Sequence, residues 1–197
     1  MRKVRQLRFL SIPAAVALAA LAVPVMGQMS PDSTGGDNAM PTASTAEAPT
    51  AASSVDPQEF VKAAGSGGEF MVQLGQIAQQ KAQSKEVKDF GKMMVQDHSA
   101  ADQKLQQIAR SKGYEVPSQL TSKQQKELDH LSSLEGKAFD QAYMKLMVKD
   151  HKHDVAAFKR AAKASGLDPA LQNFATETLP KLEQHLDRAQ QVESRVG

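Results

Sequence analysis

Apolar residues recur every three or four positions along four long stretches of the chain, which is the spacing of a buried helix face. This pattern predicts long helices at about residues 56–82, 84–112, 134–165 and 168–193. A short amphipathic helix at about 122–131 is predicted in the connection between the second and third of them. No segment has the strict alternation of a strand, so the expected fold class is all-α.

Capping residues and connection lengths indicate how the helices are arranged. Asp56-Pro57 and Asp168-Pro169 each place a capping carboxylate before a proline in the first turn of a helix, and Ser84 is predicted to cap the second helix. The short first and last connections make two antiparallel pairs. The long middle connection can carry the chain back along the bundle. We therefore expect a ferritin-like up-down-down-up four-helix bundle, with the second and third long helices as parallel neighbours.

Glycines interrupt the first predicted helix at Gly65, Gly67 and Gly68. A glycine inside a helix costs roughly 1 kcal/mol relative to alanine, so three of them need a reason. Two interpretations stay open. Either the helix begins only at Ser66, or a neighbouring segment passes so close that a side chain would not fit.

The amino-terminal residues have the composition of a secretory signal. Within residues 1–27, the first eight include four basic residues and no acid, and an uncharged apolar run follows from Phe9 to Met26. Cleavage is predicted after Gly27, with retention as an uncleaved anchor as the alternative. Residues 28–55, rich in Pro, Ser, Thr and Ala, are predicted to be a disordered tether. The bundle domain is then 56–197, in an exported protein with no permanent membrane span after cleavage.

Composition narrows the range of functions. Loss of the signal leaves 20 of the 24 Lys and Arg residues against 22 Asp and Glu, a formal net charge of −2. Because the basic residues alternate with acids along the helices, nucleic acid is not an expected partner. The chain has no cysteine, which excludes thiolate metal sites, disulfides and thiol nucleophiles. No nucleophile in a sharp turn and no phosphate-binding loop is recognisable, so the sequence favours a protein that is not an enzyme.

A five-residue phrase ending in Asp-His occurs twice, at residues 94–98 and 147–151. The helical periodicity places His98 and His151 on buried stripes, with His185 beside the stripe of the last helix. Imidazole and carboxylate together are the ligands of zinc, copper(II), iron and manganese. The candidate metal ligands are therefore Glu69, Asp97, His98, Asp150, His151 and His185. About 140 residues bury enough surface to fold without a metal cofactor.

Other interpretations of these histidines stay open. A di-iron site needs glutamate three residues before its histidines, whereas Val95, Val148 and Leu182 stand there. Each histidine could instead be hydrogen-bonded to an acid of a neighbouring helix and set the helix register without a metal. Asp102 and Asp154 lie one turn after the first two histidines and share their helix faces. General-base catalysis by a histidine–acid pair is the least supported alternative.

Several segments together resemble a known family. They are Gly68-Glu69-Phe70, residues 94–98, Phe139-Asp140, Phe174-Ala175, Leu179-Pro180 and His185-Leu186. The chain resembles the exported bacterial family of the domain of unknown function 4142 type, placed among ferritin-like four-helix proteins. The resemblance implies a ferritin-like bundle exported to the cell envelope, in the periplasm or associated with the outer membrane. It implies no particular substrate.

Two functions from different classes follow. The first, which the missing catalytic signature favours, is a structural or interaction bundle of the envelope that binds another envelope protein or itself. The second is a periplasmic transition-metal-binding or ferritin-like oxidoreductase protein that uses His98, His151 and neighbouring carboxylates.

Overall fold

The computed structural model describes residues 54–197, so the predicted signal peptide and nearly all of the predicted tether lie outside the described residues. Within this part the chain forms helices and no strand. The all-α prediction is confirmed. No helix of the described part is long and apolar enough to cross a membrane. The helices are α1 (Pro57–Lys81), α2 (Lys85–Lys112), α3 (Ser122–Ser132), α4 (Gly136–Lys163) and α5 (Pro169–Val196).

Ion pairs at the helix ends show the direction of each long helix. Lys81 at the end of α1 pairs with Glu135 just before α4, at 3.1 Å. Lys112 at the end of α2 pairs with Asp168 just before α5, at 2.9 Å. Hence α4 begins at the end of the bundle where α1 stops and α2 starts, and α5 begins where α2 stops. The predicted up-down-down-up order is confirmed.

The four long helices form a ring in which every adjacent pair is antiparallel. The largest interfaces join α1 to α2 and α4 to α5, and smaller ones join α2 to α5 and α1 to α4. The parallel helices α2 and α4 therefore lie at diagonal corners. Their parallel direction agrees with the prediction, but the expectation that they are neighbours is wrong. Side chains of α2 and α4 meet through the core.

Helix α1 begins at Pro57 and runs through all three glycines, because a neighbouring segment approaches two of them. A Cβ at Gly65 would lie 2.6 Å from Val116 Cγ1 in the connection after α2. A Cβ at Gly68 would overlap the carboxylate of Asp102 on α2. The second of the two interpretations is therefore correct for these positions.

The beginning of α2 is capped by a residue of another helix. Ser84 is the N-cap residue, but its side chain makes no capping hydrogen bond. Instead the carboxylate of Asp140 on α4 accepts the backbone N–H groups of Gln83 at 3.1 Å and Ser84 at 2.8 Å. Asp140 is buried, so this contact ties α4 to the turn between α1 and α2. Asp56 and Asp168 cap α1 and α5 as predicted.

The core consists of two apolar clusters along the bundle. One contains Phe70, Phe90 and Met147, and the other contains Phe60 and Phe158. Along α2, α4 and α5 a single buried histidine lies between the residues of the two clusters. The bundle therefore has a polar layer between two apolar halves.

Candidate functional site

Three histidines from three helices converge in this polar layer. His98 of α2, His151 of α4 and His185 of α5 are 7%, 0% and 1% exposed. One ring nitrogen from each lies within 4.8 Å of the others. The ring centroids are 5.4 to 5.8 Å apart. In the described part of the chain this is the only group of three or more acidic or histidine side chains close enough to hold a metal ion.

The repeated Asp-His phrase explains why two of the rings meet. Because α2 and α4 start at the same end of the bundle, equal distances along them bring residues to equal depth. His98 and His151 each lie roughly four turns from the start of their helix. His185 reaches the same layer from the middle of the antiparallel α5. Diagonal packing then directs the rings of α2 and α4 at each other across the core.

One nitrogen of each ring is buried and has no hydrogen-bond partner in residues 54–197. The atoms are His98 Nε2, His151 Nε2 and His185 Nδ1. Leaving a buried polar atom unpaired costs about 1–3 kcal/mol, and most buried polar atoms in proteins have a partner. Three such atoms in one layer require a physical explanation.

Hydrogen bonds fix the tautomers of two of the rings. His151 donates its Nδ1–H to the carbonyl of Met147 at 2.9 Å, which leaves the lone pair on Nε2. His185 donates its Nε2–H to a carboxylate oxygen of Asp97 at 2.9 Å, which leaves the lone pair on Nδ1. A carboxylate or carbonyl behind an imidazole is the usual second shell of a metal-bound histidine, because it orients the ring and raises its basicity.

Burial keeps the rings uncharged. Burial lowers the pKa of His98 well below its usual value, and the charges of His151 and His185 lower it further. Burial, with a smaller effect of His185, lowers the pKa of His151 to about 4. Burial also lowers the pKa of His185, although Asp97 opposes this. At neutral pH all three imidazoles are neutral, which is the form that binds metals.

The three carboxylates that were predicted as ligands do not converge with the histidines. Asp97 contacts the back of His185 and does not face the cluster. Glu69 is exposed on α1 and accepts a hydrogen bond from Gln73 at 2.7 Å. Asp150 is half-buried, and burial and the charge of Glu127 raise its pKa. Neither Glu69 nor Asp150 belongs to the group of converging ligand atoms.

The interpretation that acids pair with the histidines fits one of the three. His185 on α5 is paired with Asp97 on α2, across a helix interface. Asp102 and Asp154 make no hydrogen bond to a histidine in the described part of the chain. They line a cavity of about 30 Å³ beside His98. Mainly through burial, the pKa of each is raised to about 7.

A groove between α2 and α5 connects two of the histidines to the surface. It has a volume of about 240 Å³, and both His98 and His185 line it. Lys104 and Glu177 form an ion pair across it, and Lys181 lies 3.7 Å from Asp97 on its rim. The histidine cluster is thus buried but accessible to solvent through this groove.

Two neighbours of the cluster were not singled out as site residues from the sequence. The ring of Phe90 packs edge-on against His151, with centroids 6.4 Å apart. Tyr143 lies beside Phe90, and its buried hydroxyl has no hydrogen-bond partner within the part of the chain that the structure describes. The only sequence signal was their position on the same helix stripes as the histidines.

Comparison with known proteins is consistent with this architecture. The sequence profile of the domain of unknown function DUF4142 matches residues 42–192. The chain belongs to the DUF4142 family. Among curated proteins no match is found. The predicted family resemblance is confirmed.

Solved structures with a similar fold belong to DUF305 proteins. One is from Streptomyces coelicolor and predicted to be secreted, with 15% identity and a TM-score of 0.60 over 70% of this chain and 91% of that one. Another is a fragment from Deinococcus radiodurans, with 14% identity and a TM-score of 0.62 over 72% of this chain and 99% of that one. At this identity the likeness shows a shared ferritin-like all-helical fold and nothing about function.

Proposed function

We propose that this DUF4142 protein is an exported transition-metal-binding protein whose metal centre is formed by His98, His151 and His185. The observation that carries the proposal is the convergence of three buried histidines, each of which also has a buried ring nitrogen with no hydrogen-bond partner among the described residues. One cation at the centre of the layer would satisfy all three. The interaction-bundle hypothesis gives no reason for these unpaired atoms.

The donor set favours zinc or copper. Three neutral imidazoles and no thiolate suit Zn²⁺ and Cu²⁺. Of the divalent first-row transition metals, Cu²⁺ binds nitrogen ligands most tightly. Metal–nitrogen bonds of about 2.0–2.1 Å place tetrahedral donors roughly 3.4 Å apart. The present separations of up to 4.8 Å require a small rotation of the rings. The Asp97 carboxylate behind His185 would stabilise the charge of a dication that is bound by neutral ligands.

None of the three clustered histidines has a glutamate three residues before it, which argues against ferritin-like di-iron chemistry. Such sites bring several glutamates to the bundle centre, whereas the converging ligand group found among the described residues consists of histidines alone. Metal binding or carriage is therefore a better supported role than oxidation of a substrate. Export to the envelope agrees with the predicted signal peptide.

A water molecule is the competing occupant of the layer. Water has two hydrogens to donate, so it satisfies three rings only if His98 carries its proton on Nε2. A metal ion needs lone pairs on all three nitrogens. Binding of added metal with a defined stoichiometry would therefore distinguish a metal site from a water site.

The test is calorimetric titration of metal-free exported protein with Cu²⁺ and Zn²⁺, with electron paramagnetic resonance of the copper form. We expect one ion per chain and hyperfine coupling to three nitrogens. The triple variant His98→Gln, His151→Gln, His185→Gln should lose this binding while it keeps its helicity. The control variant His130→Gln, His153→Gln changes two exposed histidines and should bind normally. Absence of saturable micromolar binding, or unchanged binding by the triple variant, contradicts the proposal.

A further inference from the structure

A second candidate binding site lies away from the histidine layer, between α3 and α4. It is a groove of about 580 Å³, which we call the lysine groove. Its floor is formed by Leu131, Ala142 and Leu146, and its accessible lining is mostly apolar. The short helix α3 contacts the bundle through Leu131, which is buried, and its polar face, which includes Lys126 and Glu127, lines the groove opposite α4. Its volume is within the roughly 300–1,000 Å³ of small-molecule sites.

The rim of this groove is strongly cationic. Two lysines of α3 and two of α4 surround the apolar floor, with Glu127 as the only acid in the lining. Glu127 pairs with one of the four, at 3.4 Å. The other three have no carboxylate within ion-pair distance among the described residues, although many surface cations of the bundle are paired. The four rim lysines are Lys123, Lys126, Lys145 and Lys149.

An apolar floor under a cationic rim fits one kind of ligand. We infer that the lysine groove binds a free single-chain anionic amphiphile of the fatty-acid class, with the hydrocarbon chain on the leucine floor and the carboxylate among the lysine ammonium groups. A lysine side chain lays its methylene stem along apolar surface and keeps its charge at the edge, which is the arrangement such a ligand needs. The inference does not depend on the proposed metal site.

Other anionic partners fit the groove less well. A bilayer surface is flat, whereas the floor is recessed and Leu131 is only 3% exposed. A peptide strand would need backbone hydrogen-bond partners, and the lining offers few polar groups apart from charged side chains. Single-stranded nucleic acid would need several aromatic rings for stacking, and the imidazole of His130 is the only one among the described residues that line this groove.

The test compares ligands that differ only in headgroup or chain length, by calorimetry on the intact exported protein below their micellar concentrations. We expect laurate to bind, dodecyltrimethylammonium not to bind, and decanoate to bind more weakly than laurate. Loss of each buried methylene weakens binding about fourfold. Equal binding of laurate and dodecyltrimethylammonium would show general detergent adsorption and overturn the inference.

Charge-reversed variants locate the site. Lys126→Glu, Lys145→Glu changes one rim residue on each wall and should weaken laurate binding at least tenfold. The control Lys88→Glu, Lys92→Glu makes the same change in net charge on the exposed face of α2, where neither lysine pairs with an acid of the described residues, and should change the affinity less than twofold. Equal losses in both variants would indicate a nonspecific charge effect.

A third variant tests the floor, and vesicles test the membrane alternative. Ala142→Trp fills the groove from α4 and should abolish laurate binding in protein that retains its helicity. Retained binding by this folded variant would exclude the groove. Binding to phosphatidylglycerol vesicles without binding of free laurate would assign the lysines to a membrane surface and also overturn the inference.

Discussion

The half-buried carboxyl group of Asp154 should make the stability of this bundle fall as the pH rises. Asp154 lies on α4 beside the small cavity that also contains Asp102 and His98. Burial, and to a smaller extent the charge of Asp150, raises its pKa from 3.8 to about 7. In the unfolded chain the group ionises near its ordinary pKa. Between these two values the folded state therefore holds a proton that the unfolded state has released.

The sign and size of the effect follow from proton linkage. The contribution of the Asp154 carboxyl to the free energy of unfolding is fully present below the pKa of the unfolded state. It is lost as the pH rises toward 7, by about 1.4 kcal/mol per pH unit. Three pH units give about 4 kcal/mol as an upper limit. The side chain keeps some contact with solvent, so we expect a change of about 2–4 kcal/mol.

The substitution Asp154→Asn removes this titration while it preserves the shape of the side chain. Relative to the parent protein, the variant should gain about 2–4 kcal/mol in free energy of unfolding between pH 4 and pH 8. Guanidinium unfolding followed by circular dichroism, with chelator present to remove metals, measures it. The control Asp187→Asn changes an exposed carboxylate and should show no comparable gain. A constant difference between parent and Asp154→Asn at all pH values would refute this reasoning.

Three further predictions concern packing, capping and the metal site. Gly75→Ala should destabilise the bundle by about 1–3 kcal/mol in thermal unfolding, because its Cβ would lie 2.5 Å from the backbone oxygen of Gly91 where α1 and α2 cross. Gly67→Ala, which meets nothing within 4 Å, should stabilise it by about 1 kcal/mol, and the reverse order would contradict the packing argument. Asp140→Ala removes the acceptor for two backbone N–H groups at the start of α2 and should cost about 1–3 kcal/mol in denaturant unfolding; an unchanged midpoint would be inconsistent with this cap. Asp97→Asn should weaken Cu²⁺ binding about 10- to 100-fold in calorimetry, because the acceptor that orients His185 becomes a neutral amide; equal affinities would remove Asp97 from the site.

The helices and their order could be derived from the sequence because both depend on local information. Periodicity and capping located each helix to within a few residues, since the spacing of apolar residues and the cap chemistry act over one or two turns. The length of the middle connection determined that α2 and α4 run in the same direction. The repeated Asp-His phrase then placed His98 and His151 at one depth. Burial of His98 and His151 also followed from their position on a helix stripe, whereas His185 was placed only beside one.

Which residues face one another was decided by the tertiary structure alone. Periodicity assigns a residue to a helix face but not to a partner, so it could not show that α2 and α4 lie diagonally and that Asp97 supports His185 from behind. It also could not separate Glu69 and Asp150, which lie outside the cluster, from the three converging histidines. Those outcomes depend on helix rotation and on contacts between residues far apart in the chain. The physical reason is that secondary structure is set by neighbours in sequence, whereas a binding site is set by neighbours in space.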